Sequence, residues 1–424
     1  MAKELHELNE LEERVILVAV EMDERSSRSA MDTDACLDEL EELVKTAGGT
    51  AVARSVQKRE RIHPGHYLGT GKIEELKAML LAYDATGIVC DDELSPAQLR
   101  NLEQMLGTKV MDRTIVILDI FAARALSGEG KIQVELAQLK YRLSRLTGMG
   151  ASMSRLGGGI GTRGPGEKKL ETDRRYIKER IAELNKDAQE IRTHRELLRA
   201  QRSKKGTPVI SLVGYTNAGK STILNRLSDA GVLAEDKLFA TLDPVVRQIT
   251  LPNGLDILLS DTVGFINKLP HDLIEAFKST LEEVSNADLI LHVVDISCDH
   301  YDAQMRVVED VIASLGAGDT PRINVYNKID RIDSRPRGTE DDAFVSAATG
   351  EGMESLLERV EKLLSASHST IELTIPYDKY EAVALLHSEA RILSEEHTET
   401  GTKICAACED GTLRKLKKLV GENI

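Results

Sequence analysis

The stretch that decides the fold is PVISLVGYTNAGKSTILNRL, residues 208–227. An apolar run leads into Gly214, and after four further residues GKS at 219–221 opens a helical pattern, which matches G-x-x-x-x-G-K-[ST] in its strand, loop and helix context. Such a loop points backbone N–H groups at phosphate oxygens, where the helix dipole also favours negative charge. We predict a nucleotide site made of Gly214, Tyr215, Thr216, Asn217, Ala218, Gly219, Lys220 and Ser221.

Two further segments supply groups that suit the γ-phosphate of a bound nucleotide. In LDILLSDTVGF, residues 255–265, Asp261 ends an apolar strand and Gly264 follows three residues later, so a carboxylate can reach the metal shell while a backbone N–H meets the phosphate. Upstream, FATLDP (239–244) offers a threonine suited to closing on magnesium. We expect Mg²⁺ to be held by Ser221 and Thr241, with Asp261 in the shell around it. The nucleotide contacts predicted here are Phe239, Ala240, Thr241, Leu242, Asp243, Asp261, Thr262, Val263 and Gly264.

A third segment, INVYNKID at 323–330, indicates which base is bound. A carboxylate at Asp330 can accept hydrogen bonds from N1–H and the 2-amino group of guanine, whereas adenine would leave polar groups unpaired. Further on, FVSAATGEG (344–352) offers backbone groups that could contact the guanine O6. The ordered set predicts a GTPase and disfavours an ATP-using enzyme. The residues predicted at the base are Asn327, Lys328, Ile329, Asp330, Ser346, Ala347 and Ala348.

The position after DTVG carries no group that could orient an attacking water. Phe265 stands where many small GTPases have a glutamine, and a phenyl ring neither donates nor accepts that hydrogen bond. We therefore assign no certain catalytic side chain; Lys220, Thr241 and Gly264 support the γ-phosphate. Intrinsic hydrolysis should be slow unless backbone groups, an ion or a partner position the water. Asn217 is a candidate ligand for K⁺, which would supply charge in place of an arginine finger.

The length of 424 residues predicts several domains. We divide the chain into an N-terminal α/β subdomain, a basic helical hairpin with a glycine-rich tip, a P-loop GTPase domain and a small α+β domain. The boundaries are 1–130, 131–205, 206–368 and 369–424, and the overall fold class is α/β.

Within these parts, apolar runs predict individual elements. In the first part, VILVAV (15–20), GIVC (87–90) and TIVILDIF (114–121) predict parallel strands joined by crossover helices. In the last part we predict a strand at TIELTIPY (370–377), a helix at KYEAVALLHSEARIL (379–393) and a strand at TKICAACED (402–410).

A second glycine-rich stretch, LGTGKIEEL at 68–76, looks like the end of a phosphate-binding loop. His66 takes the place of the first glycine, and Ile73 that of the Ser or Thr that would hold magnesium. This favours a glycine-bearing turn before a helix. Whether the N-terminal subdomain binds a second nucleotide stays open.

The segment 131–205 has a heptad-like apolar seam on two charged stretches, which predicts an antiparallel helical hairpin. Between them, MGASMSRLGGGIGTRGPGE (149–167) is too rich in glycine for a continuous helix. A second helix of some 35 residues would be roughly 50 Å long and could carry the tip away from the main body.

Charge is concentrated in this hairpin. From Lys140 to Lys205 there are 18 Lys and Arg against eight Asp and Glu, so the segment carries +10 and the remainder –25 of the net charge of –15. A solvated coiled coil with internal ion pairs is the plain alternative, but a net excess of this size favours a polyanion as partner. The candidate RNA-binding residues are Arg155, Arg163, Lys168, Lys169, Arg174 and Arg175.

Composition bears on the compartment. No run of about 18 apolar residues could cross a bilayer, and the first residues alternate charge instead of forming a signal peptide. Five cysteines, mostly isolated, fit a reducing compartment. We expect a cytoplasmic protein without an integral membrane segment, monomeric when free.

Taken together, the sequence resembles the HflX family of ribosome-associated GTPases over nearly its full length. The most specific marks are GGGIGTRGPGE with LETDRR (157–175), GYTNAGKSTILN (214–225), FATLDP (239–244) and DTVGFI (261–266). It departs from the family at Lys168 and Lys169, where Thr and Gln are frequent, and at Val245, where a threonine is common. The first departure makes the tip more basic, and the second leaves the predicted role of Thr241 intact.

The resemblance implies a Mg²⁺-dependent GTPase that binds GTP and GDP and associates with the large (50S) ribosomal subunit and its RNA. It further implies a part in splitting or rescuing stalled ribosomes or in ribosome biogenesis, with the N-terminal domain directed at ribosomal RNA. The alternative is a non-ribosomal regulatory GTPase whose coiled coil binds a protein partner.

Overall fold

A computed structural model describes most of the chain. The described residues are 13–22, 31–146, 165–203, 207–228, 238–239, 245–270, 273, 278–334, 336–367, 369–398, 400–408 and 410–420. They form three separate sheets and a pair of long helices. This is the predicted α/β fold class, with a P-loop GTPase domain between an N-terminal α/β unit and a small α+β unit. The exact boundaries of the four-part division remain predictions.

The N-terminal unit is a four-stranded sheet in the order β2-β1-β3-β4. All three strand pairs are parallel, as the alternation of strands and helices predicts. The carboxyl ends of the strands therefore meet at one edge, where Asp91 follows β3 and Asp112 ends β4. Its elements are β1 Arg14–Met22, α1 Thr33–Thr46, β2 Thr50–Arg59, α2 Thr70–Ala82, β3 Gly87–Cys90, α3 Pro96–Leu106, β4 Lys109–Asp112 and α4 Arg113–Arg124.

The predicted strand at 114–121 is wrong, because these residues belong to helix α4. The carboxylate of Asp112 accepts a hydrogen bond from the backbone N–H of Ile115 at 3.1 Å, which caps the helix, and β4 is the short run just before it. All residues from Val116 to Phe121 except Asp119 are buried, so the run is apolar almost throughout and shows no clear period that could separate a strand from a helix.

The hairpin consists of α5, Gly128–Leu146, and α6, Pro165–Ser203. Ion pairs join the two helices: Arg180 donates to Glu135 at 2.8 Å and Arg195 to Glu129 at 2.6 Å. The antiparallel helical hairpin is thus confirmed, and its predicted tip lies outside the described residues. The structure adds that α5 does not project freely.

Helix α5 is anchored to the α/β unit near its C-terminal end. The hydroxyl of Tyr141 donates to Asp112 at 2.8 Å, and Arg145 donates both to Asp112 and to the backbone carbonyl of Leu94. Asp112 is fully buried, so these bonds are shielded from water. The chain therefore enters the glycine-rich segment from a fixed point beside the carboxyl edge of the N-terminal sheet.

The GTPase unit has a six-stranded sheet in the order β10-β9-β8-β5-β7-β6. Strand β6 pairs antiparallel with β7, and the other neighbours are parallel. The strand that leads into the GKS loop is therefore central and buried between β7 and β8. The elements are β5 Val209–Gly214, α7 Lys220–Ser228, β6 Val245–Thr250, β7 Asp256–Asp261, α8 Lys278–Ser285, β8 Leu289–Asp295, α9 Tyr301–Ser314, β9 Arg322–Asn327, β10 Asp342–Phe344 and α10 Met353–Ser367.

The C-terminal unit is a three-stranded antiparallel sheet, β11-β13-β12, with two helices. The predicted helix at 379–393 ends earlier than expected, since Arg391 already begins a strand and Ala390 is extended. Its elements are β11 Ser369–Ile375, α11 Tyr380–Glu389, β12 Arg391–Thr398, β13 Gly401–Cys408 and α12 Asp410–Val420.

One hydrophobic core is shared by the N-terminal and GTPase units. It contains residues of α1 and α4 together with Tyr215, Val263 and Phe265. The rings of Phe121 and Phe239 meet edge to face, with centroids 4.7 Å apart. The phosphate loop is thus packed directly against the N-terminal unit. In the described part of the chain, no helix combines the length and apolar character needed to span a bilayer.

Leu184 allows a test of hairpin packing, because it is 1% exposed on the otherwise solvated helix α6. We expect Leu184→Ala to lower the free energy of opening of the two helices by about 2–4 kcal/mol, the usual cost of a buried leucine. Hydrogen exchange of the amides at 171–195 measures this opening. Leu197→Ala is the matched control, since Leu197 is 61% exposed on the same helix. Equal effects of the two variants would contradict the packing.

Candidate nucleotide site

Two glycines of the phosphate loop are required by close packing. A Cβ on Gly214 would lie 2.2 Å from the backbone oxygen of Val293, and one on Gly219 would lie 2.2 Å from the amide nitrogen of Asn327. Gly219 also has a φ of +98°, which side chains disfavour. The loop therefore lies tightly against β8 and against the last residue of β9. Asn217 has a left-handed backbone as well, with a φ of +61°.

Lys220 lies at the centre of the loop and is buried. Its ammonium group donates to the backbone oxygens of Gly214 at 3.1 Å and Tyr215 at 2.8 Å. Burial lowers the pKa of Lys220 to about 8, and the nearby Asp261 carboxylate opposes this shift. A polyphosphate beside this ammonium group would raise its pKa again, because a nearby anion favours the charged form, so the loop is electrostatically suited to an anion.

Two of the predicted magnesium-site residues meet in the structure. The Ser221 hydroxyl donates to Asp261 Oδ2 at 2.6 Å, and Asp261 is fully buried. A hydroxyl and a carboxylate are hard oxygen ligands, and Mg²⁺ is usually held by one or two such groups together with substrate phosphates. The donor set therefore fits Mg²⁺. Among the residues whose placement is described, no group of three or more His, Cys, Asp or Glu side chains is arranged so that it could hold a metal ion by itself.

The turn after β7 is bonded to the phosphate loop. The backbone N–H of Thr216 donates to the Phe265 carbonyl at 2.7 Å, and the Phe265 N–H donates to the Gly214 carbonyl at 3.2 Å. A Cβ on Gly264 would lie 2.8 Å from Thr216 Cα and 3.0 Å from Lys220 Nζ. The backbone of Gly264 is therefore in direct contact with the loop, as its predicted role at the γ-phosphate requires.

Phe265 itself is buried in the shared core, with 2% of its surface exposed. The ring is used for packing between the two units. This agrees with the expectation that it does not orient water.

The base-binding residues also come together. Asn327 donates through Nδ2 to the Ala218 carbonyl at 2.9 Å and accepts from the Ala347 N–H at 3.0 Å, which ties three loops to one another. The Ser346 hydroxyl donates to the exposed Asp330 carboxylate at 2.6 Å, and this bond lowers the pKa of Asp330. Asp330 is therefore ionised and presented to solvent, as guanine recognition needs.

Lys328 is held by a residue that sequence reasoning missed. Its ammonium group pairs with Asp295, the last residue of β8, at 2.5 Å, and its backbone is left-handed with a φ of +65°. The position of Asp295 at the carboxyl end of a parallel strand was the available signal.

Other predicted residues are placed differently. Thr262 and Val263 are buried directly after β7, and Phe239 packs on Phe121. Lys168 and Lys169 lie on α6, although their side chains are not described, and Arg174 and Arg175 lie on the solvated part of that helix. The predicted residues that lie outside the described part are Ala240, Thr241, Leu242, Asp243, Arg155 and Arg163.

The central parallel sheet, the phosphate loop, the Ser221–Asp261 pair and the Asp330 loop define a GTP-binding protein of the P-loop class. Comparison with protein families agrees with this. Residues 34–122 match the GTP-binding GTPase N-terminal family and 124–202 its middle region. Residues 209–328 match the 50S ribosome-binding GTPase family, and 331–413 match the HflX C-terminal domain. The chain belongs to the HflX family and is a GTPase, which converts GTP to GDP and phosphate.

Characterised relatives are similar over most of their length. A GTPase HflX of Lacrimispora saccharolytica is 58% identical over 94% of both chains. The GTPase HflX of Escherichia coli is 43% identical over 80% of this chain and 82% of its own. Among solved structures, a GTP-binding protein from Sulfolobus solfataricus in complex with GDP covers 83% of this chain and 99% of that chain at 22% identity and a TM-score of 0.42. At this identity and TM-score, the likeness to the Sulfolobus protein does not establish the family or the function.

Asp330→Asn tests the guanine contact. We expect GTP to bind roughly 10 to 150 times more weakly and xanthosine triphosphate to bind more tightly, because an amide can donate to the xanthine oxygen but cannot accept twice from guanine. Competition binding with GTP, ATP and xanthosine triphosphate measures this. The control is Asp333→Asn, an exposed aspartate of the same loop region. An unchanged nucleotide profile in Asp330→Asn would contradict the assignment.

Gly264→Ala tests the contact between the turn and the phosphate loop. The added methyl group would overlap Thr216, so the turn should be displaced and GTP hydrolysis should fall by about tenfold or more, of the order seen when a positioned backbone donor is lost. Gly318→Ala is the control, because its Cβ would meet nothing within 4 Å. Phosphate release measures the rate of hydrolysis. A wild-type rate in Gly264→Ala would show that hydrolysis does not depend on the position of this turn.

Proposed function

We propose that this protein is a GTP-dependent factor of the large ribosomal subunit. The observation that carries the proposal is the net charge of +10 between Lys140 and Lys205, a segment in which helix α6 exposes Arg175 to solvent. Ribosomal RNA is a polyanion of matching charge. The match of residues 209–328 to the 50S ribosome-binding GTPase family supports the same partner.

In the proposed cycle, GTP orders the loops around Thr241 and Asp261 and fixes the GTPase unit against the N-terminal unit, and hydrolysis releases them. Lys220 contacts the β and γ phosphates, and the Gly264 N–H meets the γ-phosphate. Ser221 and Thr241 hold Mg²⁺, with Asp261 beside it. When bound, this ion neutralises charge that develops on the phosphates.

Phe265 leaves the attacking water without a side-chain partner, so water must be positioned by backbone groups, by an ion or by the ribosome. The hypothesis that K⁺ is that ion rests on Asn217, whose side-chain oxygen lies within the phosphate loop and is a candidate ligand. Comparison of hydrolysis rates in K⁺ and Na⁺ tests it, since Na⁺ should not replace K⁺.

The finer role that we propose is the splitting or rescue of stalled ribosomes or a step in ribosome biogenesis. Such a partner would place the protein in the cytoplasm, as a monomer when it is not bound. A regulatory GTPase whose hairpin binds a protein is the second candidate, favoured by the ion pairs within the hairpin. Binding to RNA should weaken steeply with salt, whereas a protein contact on the hairpin should depend on salt far less.

Co-sedimentation with large ribosomal subunits tests partner and cycle together. We expect the GTP-loaded protein to co-sediment more than the GDP-loaded one, and the binding constant to fall by about tenfold or more between 50 and 200 mM salt. Equal sedimentation of the GTP-loaded and GDP-loaded protein would contradict the proposed cycle. Binding that does not depend on salt would favour the regulatory GTPase whose hairpin binds a protein.

Arg174→Glu with Arg175→Glu should weaken this binding without changing GTP hydrolysis of the free protein, since two phosphate contacts would be replaced by repulsion. The control is Arg337→Glu with Lys362→Glu, an equal charge change at exposed positions of the GTPase unit. If both double variants lose binding equally, overall charge and not α6 determines it.

A further inference from the structure

A cluster of charged and polar side chains lies in the seam between the N-terminal unit and the GTPase unit, and the proposed cycle makes no use of it. Glu39 comes from α1, Asp91 and Asp92 follow β3, and Arg113 begins α4. From the GTPase unit, Tyr215 of the phosphate loop and Lys268 of the segment after β7 enter the same cluster. We define these six residues as the seam cluster.

Tyr215 joins three segments through one hydroxyl group. The hydroxyl donates to the Glu39 carboxylate and accepts from the backbone N–H of Asn267 at 2.7 Å. Burial first, and then the Glu39 charge, raise the pKa of Tyr215 well above its ordinary value, so the hydroxyl keeps the proton that it donates. The backbone oxygen of the same residue accepts from Lys220 at 2.8 Å. Tyr215 thus connects the N-terminal unit, the segment after β7 and the phosphate-binding lysine.

Lys268 makes the second connection. Its ammonium group donates to Asp91 and, at 2.6 Å, to Asp92. Burial alone would lower the pKa of Lys268, but the two carboxylates raise it above its ordinary value, so the group is a cation. Its backbone has a φ of +53°, a conformation that is unfavourable for a residue with a side chain. Such a conformation persists only where the surroundings fix it, and the two ion pairs do so here.

The carboxylates of the seam cluster are balanced by two cations, Arg113 and Lys268. Arg113, 2% exposed, pairs with Glu39 and with Asp91 at 2.8 Å, so Asp91 is shared between Arg113 and Lys268. With Lys268 in place, two cations face three carboxylates. Without it, Arg113 would still pair with Glu39 and Asp91, but Asp92 would lose its cation, and removal of one partner from a buried pair is costly. The docked arrangement therefore needs Lys268.

Lys268 lies four residues after Gly264 on a short connection. Between them, Phe265 is buried in the shared core and the Asn267 N–H is bonded to Tyr215. The turn that carries Gly264 is thus held at both ends, by the phosphate loop on one side and by the seam cluster on the other. Only GTP, and not GDP, has the γ-phosphate that this turn would contact.

We propose that Lys268, held by Asp91 and Asp92, is a positioning residue for GTP: through it the N-terminal unit pre-organises the Gly264 turn for the γ-phosphate and sets the preference for GTP over GDP. Because the seam cluster already restricts the turn, GTP binding has less of it left to order, and affinity gains accordingly. By linkage, bound GTP stabilises the docking of the two units to the same degree. This holds whether or not the ribosome is the partner.

Lys268→Met in the full chain tests the proposal. We expect affinity for a non-hydrolysable GTP analogue to fall by about tenfold, a usual size for coupling between sites, while affinity for GDP changes by less than twofold. In steady-state hydrolysis, KM for GTP should rise and kcat at saturating GTP should stay within twofold. Lys268→Arg should restore most of the preference, since it keeps the charge.

A double-mutant cycle with Asp92→Asn locates the effect, because the amide can still accept the bond that the Tyr67 hydroxyl makes to Asp92 at 2.7 Å. Asp92→Asn should lose part of the GTP preference, and the combined variant should lose no more than Lys268→Met alone. Lys77→Met is the matched control, since Lys77 pairs with Glu74 on the surface of α2 at 2.8 Å and should leave both affinities unchanged.

Two outcomes would overturn the proposal. If Lys268→Met weakened GTP and GDP equally, the lysine would have only a structural role. If neither affinity changed, the seam cluster would not act on the nucleotide at all. Should Lys268→Met fail to fold, the affinities of Asp92→Asn and Lys268→Arg for GTP and GDP are compared instead. Additive losses of GTP affinity in the double-mutant cycle would count against the pairing of Lys268 with Asp92.

Discussion

The burial of Tyr215 and Phe265 against helices α1 and α4 is the contact on which the rest of the structure depends. Both residues are next to groups that a nucleotide would touch: one follows the first glycine of the phosphate loop and the other follows Gly264. Because their rings are packed in a core that belongs to two units, the nucleotide site cannot change shape without changing that core. Packed cores resist gradual deformation, so such a change would be a step between two arrangements.

The GTPase unit assembles its site from the carboxyl ends of parallel strands. β5 delivers the phosphate loop, β7 delivers Asp261, β8 delivers Asp295 and β9 delivers Asn327. In open α/β sheets this is the edge where ligands bind, because short loops converge there. The N-terminal sheet uses its own carboxyl edge in the seam, where Asp91 and Arg113 lie. The carboxyl edges of both sheets, the kind of edge at which ligands bind, therefore lie on the side where the two units meet.

Local patterns predicted which loops meet at the carboxyl edge of the GTPase sheet. The phosphate loop, DTVG and NKID are contiguous, and each has a fixed relation to the strand before it, so Ser221 and Asp261 could be expected to meet although 40 positions apart. The prediction of a strand at 114–121 failed because the run is apolar except for Thr114 and Asp119, and the cap at Asp112 is what marks the helix. The seam cluster could not be predicted, since Glu39 and Tyr215 are 176 positions apart and no local pattern relates them.

The neighbouring residues Asp112 and Arg113 bind two different parts of the molecule. Asp112 holds Tyr141 and Arg145 at the root of the glycine-rich segment, and Arg113 holds Glu39 and Asp91 in the seam. Consecutive Cα atoms are about 3.8 Å apart and both residues lie at the rigid start of α4, so neither can shift alone. The seam cluster and the root of the glycine-rich segment are therefore both fixed to the start of α4, so a movement of either one displaces the other.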